Sequence, residues 1–336
     1  MADKKIRWGV ISTAKIGTEK VIPGMQRSKR GSVDAIASRD AAKGKALAKQ
    51  LGIPKSYGTY EALLADPDID AVYNPLPNNL HIDWTIAALK AGKHVLCEKP
   101  LGMNAADAER LRAVSGKHHV MEAFMVRFAP QWLRARELVR SGKIGALKAV
   151  QVFFSYDNRD PENIRNIVET GGGALLDIGC YGIVSGRFTF EAEPKRVVSL
   201  IDRDPAFKTD RLSSVIADFG EGRQLSFVVS TQLGAHQRVT LGGDKGRVEI
   251  LIPFNPVAMQ PTTIVIDDGS KLGGASSVEE VLPPSDHYAE EADAFARAVL
   301  GETELPYGVE DGVRNMKILD AIFRAEKSGK WEATGL

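Results

Sequence analysis

The chain has little from which to build a covalent or metal-based framework. Two cysteines in 336 residues, Cys97 and Cys180, stand far apart, which argues against a disulfide scaffold and fits a reducing cytoplasm. Six histidines show no ligand spacing, and His118-His119 on a strand would point to opposite faces, so no metal centre is expected. There is no excess charge of either sign. Lys+Arg 44 against Asp+Glu 43 leaves +1, which argues against a nucleic-acid or membrane-surface partner. No apolar run is long enough to span a bilayer, and Met1-Ala2-Asp3-Lys4-Lys5 leads into a strand-like stretch without a signal-peptide core. Repeats and low-complexity tracts are absent. The length leaves room for two ordinary domains.

What is present first is alternation. Ile6–Ile11, Val33–Ser38, Ile69–Tyr73, Lys93–Leu96 and His118–Met121 read as short buried strands. Helical stretches lie between them, with Asp40 and Asn104 as N-caps and Gly52 and Gly92 just past helix ends. Strands and helices at this spacing predict βαβ units and a parallel sheet, a Rossmann-type α/β domain over residues 1–124. The pattern changes near Gly145. Strand-like segments at 147–154 and between Arg196 and Ile252, with hairpin signals at Gly220-Glu221-Gly222 and Gly242–Gly246, predict a mostly antiparallel sheet. Residues 125–336 are therefore expected to form an α+β domain with an open-faced sheet. Helices at Gly182–Phe190 and His287–Leu300 are expected to cover one face, and a partner subunit the other, in a homodimer or homotetramer. The last helix, about 309–328, is expected to pack back on the Rossmann domain.

Charged residues at the carboxyl end of a parallel strand sit where ligands bind. Cys97-Glu98-Lys99-Pro100-Leu101 ends one such strand, and its proline fixes the chain direction after the lysine. A cis Lys99–Pro100 bond would help to aim that lysine. The first strand-to-helix turn, Ser12-Thr13-Ala14-Lys15-Ile16-Gly17, keeps only the third glycine of the dinucleotide fingerprint, but with the smallest side chains after glycine. The second strand ends in Ser38-Arg39, where an acidic residue would hold the ribose hydroxyls of NAD. Arginine pairs with a 2′-phosphate, so NADP(H) is favoured and NAD(H) remains possible; Asp40 competes only if it leaves its cap. Pro75-Leu76-Pro77-Asn78-Asn79-Leu80-His81 is a proline-braced loop at the same edge, expected to wall the cofactor, with capping or packing an equal role for His81. On the substrate side, a glycine run, Gly171-Gly172-Gly173, precedes Asp177 and Tyr181. On a helix these two lie at i and i+4, a carboxylate beside a phenol. Arg165 could meet a phosphate or a substrate oxygen, and side chains of the segment linking the domains, Glu122-Ala123-Phe124-Met125-Val126-Arg127, Phe124 and Arg127 above all, could border the cleft.

Taken together, these motifs resemble the glucose–fructose oxidoreductase / inositol dehydrogenase / rhizopine-catabolism (Gfo/Idh/MocA) family. The resemblance rests on Ala91–Pro100, the Gly171–Gly179 run, Pro77–His81 and Glu310-Asp311-Gly312, and covers nearly the whole chain. Tyr181, where many members have histidine, brings it nearest to the dihydrodiol dehydrogenase, sugar dehydrogenase and ketoreductase branches. The resemblance implies reversible hydride transfer between nicotinamide and a secondary alcohol or ketone of a sugar or cyclic diol. It makes Lys99, Asp177 and Tyr181 the catalytic residues. Tyr181 is then the acid/base, Lys99 its electrostatic partner, and Glu98 a cofactor-side or structural residue. Two other readings stay open: a regulatory sensor that binds NAD(P) without turnover, and an NAD-dependent glycosidase. The substrate is left unnamed, since loops such as Asp157–Glu169 would set it.

Overall fold

The computed structural model describes residues 4–336, so Met1-Ala2-Asp3 of the amino-terminal reading lie outside the described residues. The chain up to Met125 forms one compact unit together with Asp286–Val313; Val126–Ser285 and Arg314–Leu336 form another. The expected 124/125 boundary lies beside the first crossing, at Met125/Val126. The expected second domain, however, is not continuous, because residues 286–313 belong to the first unit.

The first unit is built on six parallel strands, β1 (Ile6–Ile11), β2 (Gly31–Ala37), β3 (Lys55–Tyr57), β4 (Ala71–Asn74), β5 (His94–Cys97) and β6 (Val120–Glu122). Their order is β3-β2-β1-β4-β5-β6. This is the doubly wound order, and a crevice opens at the carboxyl ends of β1 and β4, where the winding reverses. The strands read as continuous apolar runs because helices cover both faces. Asp40 and Asn104 cap as expected, accepting the backbone N–H of Lys43 and Asp107.

The helix His287–Val299 corrects one expectation: it packs in this unit, not on the antiparallel sheet. Gly24 allows the approach, since a Cβ there would lie 2.5 Å from Cβ of Tyr288. Phe295 meets the fully buried Trp8 at 5.3 Å between ring centroids. Buried Asp293 accepts Ser28 Oγ–H at 2.5 Å and the N–H groups of Lys29 and Arg30 at 2.9 and 2.8 Å. A second correction concerns His118 and His119. They do not point apart, for both rings approach His94, at 5.3 and 5.2 Å. Among the described residues no group could hold a metal ion, and no helix is long and apolar enough to cross a membrane.

The second unit holds a nine-stranded sheet: β7 (Leu147–Asp157), β8 (Arg196–Arg203), β9 (Asp210–Gly220), β10 (Arg223–Ser230), β11 (Gln232–Gly243), β12 (Gly246–Ile250), β13 (Gln260–Asp267), β14 (Val278–Ser285) and β15 (Glu332–Ala333). The order is β14-β13-β12-β11-β7-β10-β9-β8-β15, antiparallel except for β7 with β10. Strands β13 and β14 escaped the sequence reading, although Thr262–Ile266 carries the β-branched composition of a strand. One face is covered by helices Pro130–Arg140, Cys180–Phe190 and the later part of Val309–Ser328, where Ser199 Oγ–H donates to the Ile322 carbonyl. The other face is open, with Leu200 77% and Ile216 46% exposed. The helix Val309–Ser328 contributes its first turn to the first unit and the rest to the second, so the expected packing on the Rossmann domain holds only for residues up to Val313.

A buried carboxylate starts the helical run that carries Asp177 and Tyr181. Asp210, 2% exposed, accepts the Leu175 N–H at 2.7 Å and Ser213 Oγ–H at 3.2 Å. Gly173 sits at φ +118, and a Cβ there would come within 2.0 Å of Asp210 Oδ1, so only glycine fits. Burial pushes the Asp210 carboxyl up to about 7, against the opposing pull of its hydrogen bonds and of Arg203. A carboxyl raised in the folded state favours folding most below its unfolded value and loses that contribution as pH rises through the folded value. The wild-type advantage over Asp210→Asn should therefore shrink between pH 4 and about 7, by at most about 1.4 kcal/mol per pH unit, and level off above. Urea unfolding of both proteins across that range checks the sign, and a difference that grows with pH would refute it.

Candidate active site

The residues expected to act divide between the two units. In the first, every one of them follows the carboxyl end of a parallel strand. After β1, Ser12 takes φ +83, a conformation that suits glycine, and its Oγ accepts the Ala14 N–H at 3.2 Å. The missing glycine of the fingerprint is thus a conformational substitution, and the turn keeps its left-handed residue. Thr13, Ala14 and Ile16 are half-buried and lead directly into a widened, π-type turn over Gly17–Val21. After β2, Ser38 Oγ accepts the Asp40 N–H. Asp40 is committed to its cap, and exposed Arg39 makes no hydrogen bond or ion pair among the described residues.

After β4 the loop is tied to the turn after β5. Asn74 Nδ2–H donates to the carbonyl of His81, and Asn74 Oδ1 accepts the Leu76 N–H. Pro75 and Leu76 are buried, Pro77 half-buried and Asn79 exposed. His81, expected as a cofactor contact, has another job: it is 0% exposed, with Nδ1 2.8 Å from the Pro100 carbonyl and Nε2 2.6 Å from that of Leu76. Burial lowers its pKa to about 4, so the ring is neutral and serves as a strut between two loops.

The Glu98–Leu101 turn is fixed on further sides. The Glu98 N–H donates to the Asn74 carbonyl at 3.0 Å, Tyr73 Oη–H to Glu98 Oε1 at 2.6 Å, and the Leu101 N–H to buried Glu122 Oε1 at 2.7 Å. Burial and the Glu98 charge raise the Tyr73 phenol, which keeps it a donor. Gly312 lets the helix at Val309 start against Leu101, 2.5 Å from a would-be Cβ, which explains the Glu310-Asp311-Gly312 motif. Lys99 thus projects, half-buried, from a braced turn, and its bond to Pro100, which the sequence left undecided, is cis. Tyr73 was missed by the sequence reading, since it looks like an ordinary strand residue; Glu122, expected in the segment linking the domains, ends β6 and holds the Leu101 N–H. Phe124, expected near substrate, is 0% exposed and is corrected to a core residue.

In the second unit, Asp177 lies in a π-type turn over Leu175–Gly179 that runs into the helix Cys180–Phe190. Such turns widen a helix locally and recur at functional sites. Asp177 Oδ2 accepts two hydrogen bonds, from Tyr156 Oη–H at 2.5 Å and from Arg165 Nε–H at 3.0 Å. Arg165, expected to hold a cofactor, forms an ion pair with Asp177 through Nε. Tyr156 was missed. Its signal was the inward row Val150, Val152, Phe154 on β7, which it continues to the strand end. The Tyr181 ring packs among Phe154 and Phe254, 6.0 and 5.3 Å between centroids. Phe254 is held there by Gln237 Oε1, which accepts the N–H groups of Phe254 and Asn255, and by Trp132 Nε1–H donating to the Pro253 carbonyl. Arg127 is buried.

A dinucleotide edge in one unit and a fixed carboxylate near a phenol in the other set the terms for comparison with known proteins. Residues 6–128 match the family model described as an oxidoreductase family with an NAD-binding Rossmann fold, and residues 132–249 match the GFO/IDH/MocA C-terminal domain. The chain belongs to the Gfo/Idh/MocA family. It is 39% identical to a D-xylose 1-dehydrogenase (NADP(+)) from Haloferax volcanii, over 96% of this chain and 98% of that protein. It is 35% identical to a trans-1,2-dihydrobenzene-1,2-diol dehydrogenase from Xenopus tropicalis, over 78% of each. A 3-ketoreductase from Actinomadura kijaniata, solved with NADP and TDP-benzene, superimposes with a TM-score of 0.89 at 30% identity, over 96% of this chain and 98% of that one. Membership in the Gfo/Idh/MocA family makes the chain an NAD(P)-dependent oxidoreductase with the expected two-part fold, a Rossmann unit and a mostly antiparallel open-faced sheet.

Proposed function

We propose that this Gfo/Idh/MocA member is an NADP(H)-preferring dehydrogenase or reductase acting on a secondary alcohol or ketone of a sugar or cyclic diol. The braced Glu98–Leu101 turn carries the reading, because it presents Lys99 at the edge of the sheet where the dinucleotide crevice opens. The left-handed Ser12 and small Ala14 fit a pyrophosphate, and unpaired Arg39 beside a committed Asp40 fits a 2′-phosphate. Ser12, Thr13, Ala14, Ile16, Ser38, Arg39, Pro75, Leu76, Pro77, Asn79, Glu98 and Lys99 are the residues proposed to hold the cofactor. When bound, it supplies or accepts the hydride.

Tyr181 gives or takes the proton of the reacting oxygen. Lys99 stabilises negative charge on that oxygen and on the phenolate. Asp177 accepts a hydrogen bond from a substrate hydroxyl or orients Tyr181. The relatives support this reading by name, for D-xylose, a dihydrobenzenediol and a keto sugar. The ketoreductase has also been solved with one tyrosine replaced by phenylalanine and, separately, one lysine replaced by alanine, the residue types this reading puts to work. Buried, free Cys97 and Cys180 suit a reducing cytoplasm.

Three tests follow from these assignments. Lys99→Ala and Tyr181→Phe should each lower turnover by about 100-fold or more while NADPH still binds. The assay is reduced-nicotinamide absorbance over a panel of D-xylose, other aldoses, keto-sugars, inositols and cyclic diols; wild-type turnover in both variants would sink the assignment. Arg39→Ala should lower kcat/KM with NADPH roughly tenfold and leave NADH unaffected, whereas a wild-type preference for NADH overturns the cofactor reading. The open sheet face, with Leu200, Ile216, Val198, Val228 and Phe153, is proposed to join subunits in a homodimer or homotetramer. Light scattering should show an oligomer that Leu200→Asp with Ile216→Asp dissociates, and a monomeric wild type counts against it.

A further inference from the structure

Asp177 and Tyr181 have proposed roles in the reaction; Tyr156 has none, yet it makes a short hydrogen bond to Asp177. It stands near the end of β7, on the inward row whose other members, Val150, Val152 and Phe154, are core. A phenylalanine would satisfy that packing. The hydroxyl is therefore the part that needs an explanation, and it donates to Asp177 Oδ2 at 2.5 Å.

The neighbouring donor is equally well built in. Arg165 reaches the same oxygen from a loop pinned by Asn166, whose Nδ2–H groups donate to the carbonyls of Asp160 at 2.8 Å and Asn158 at 3.2 Å. The Gly173 N–H donates to the Arg165 carbonyl at 2.9 Å, and a Cβ on Gly172 would come within 2.5 Å of that oxygen. Two donors on one oxygen favour the charged carboxylate and hold its plane. Burial and the Asp177 charge push the Tyr156 phenol well above its ordinary range, so it keeps its proton. The two tyrosines then divide the work. Tyr181 exchanges a proton, and Tyr156 retains one in order to hold an anion still.

We propose that Tyr156 is a positioning residue for the reaction: together with Arg165 it orients the Asp177 carboxylate as a fixed acceptor for a substrate hydroxyl. The proposal rests on the reading of Asp177 as a reaction residue. A carboxylate already oriented loses less freedom when substrate binds, so the benefit is read in catalysis and not in cofactor affinity.

The test is a double-mutant cycle on Tyr156→Phe and Asp177→Asn, assayed with the most active member of the panel above, D-xylose first. Tyr156→Phe should lower kcat/KM about tenfold, leave the NADPH dissociation constant unchanged, and add nothing in the Asp177→Asn background. 4-Aminophenylalanine at 156, which keeps a donor at that place, should recover most of the activity. If Tyr156→Phe does not fold, that variant carries the test alone, near-wild-type turnover supporting the proposal and a loss overturning it. Wild-type kcat/KM in Tyr156→Phe overturns the proposal and leaves the function standing, as does an additive loss in the double variant. Wild-type turnover in Asp177→Asn, or no turnover of any panel member by the wild type, overturns the underlying reading and this proposal with it.

Discussion

The turn from Glu98 to Leu101 is the constraint on which the first unit depends. It leaves a parallel strand at the edge where ligands bind, and its backbone is caught by Asn74, His81 and Glu122. A lysine on a free loop would have to give up several rotors and a backbone hinge before acting. Here that ordering takes place at folding, paid by buried apolar surface elsewhere in the unit. The strands beside it, β4 and β6, and the start of the helix after β4 supply the contacts, so the sheet order that creates the crevice also braces the turn that carries Lys99.

The second unit solves a similar problem with opposite charge. Asp210 secures the start of the helical run, a glycine passes where no side chain fits, and the widened turn delivers Asp177 to Tyr156 and Arg165. The Tyr181 ring packs against Phe154 and Phe254, and the Phe254 segment is anchored by Gln237 and Trp132. Asp177 is fixed by two donors, and the Tyr181 ring by the aromatic rings around it.

Much of this was legible beforehand wherever the cause is local. Asp40, Asn104 and Gly52 mark helix ends because capping involves a few adjacent residues. The parallel sheet is legible because alternating apolar runs and amphipathic helices admit few packings. The destination of the helix at His287 was not legible. Its apolar stripe suits either sheet, and the choice fell to Gly24, Trp8 and the loop at Ser28, more than 250 residues earlier in the chain. Tyr156 was hidden for a related reason: on a strand it looks like any other inward residue, until the partner at 177 arrives.

The sequence by itself determined the fold class, the family and the short list of chemical groups, since these rest on residue type, spacing and local propensity. Tertiary structure decided which of those groups are available. It placed His81 and Phe124 in the interior and set Arg165 against Asp177. The physical reason is that burial and hydrogen-bond partnership come from residues distant in the chain, and a side chain's chemistry is set by those neighbours as much as by its own functional group.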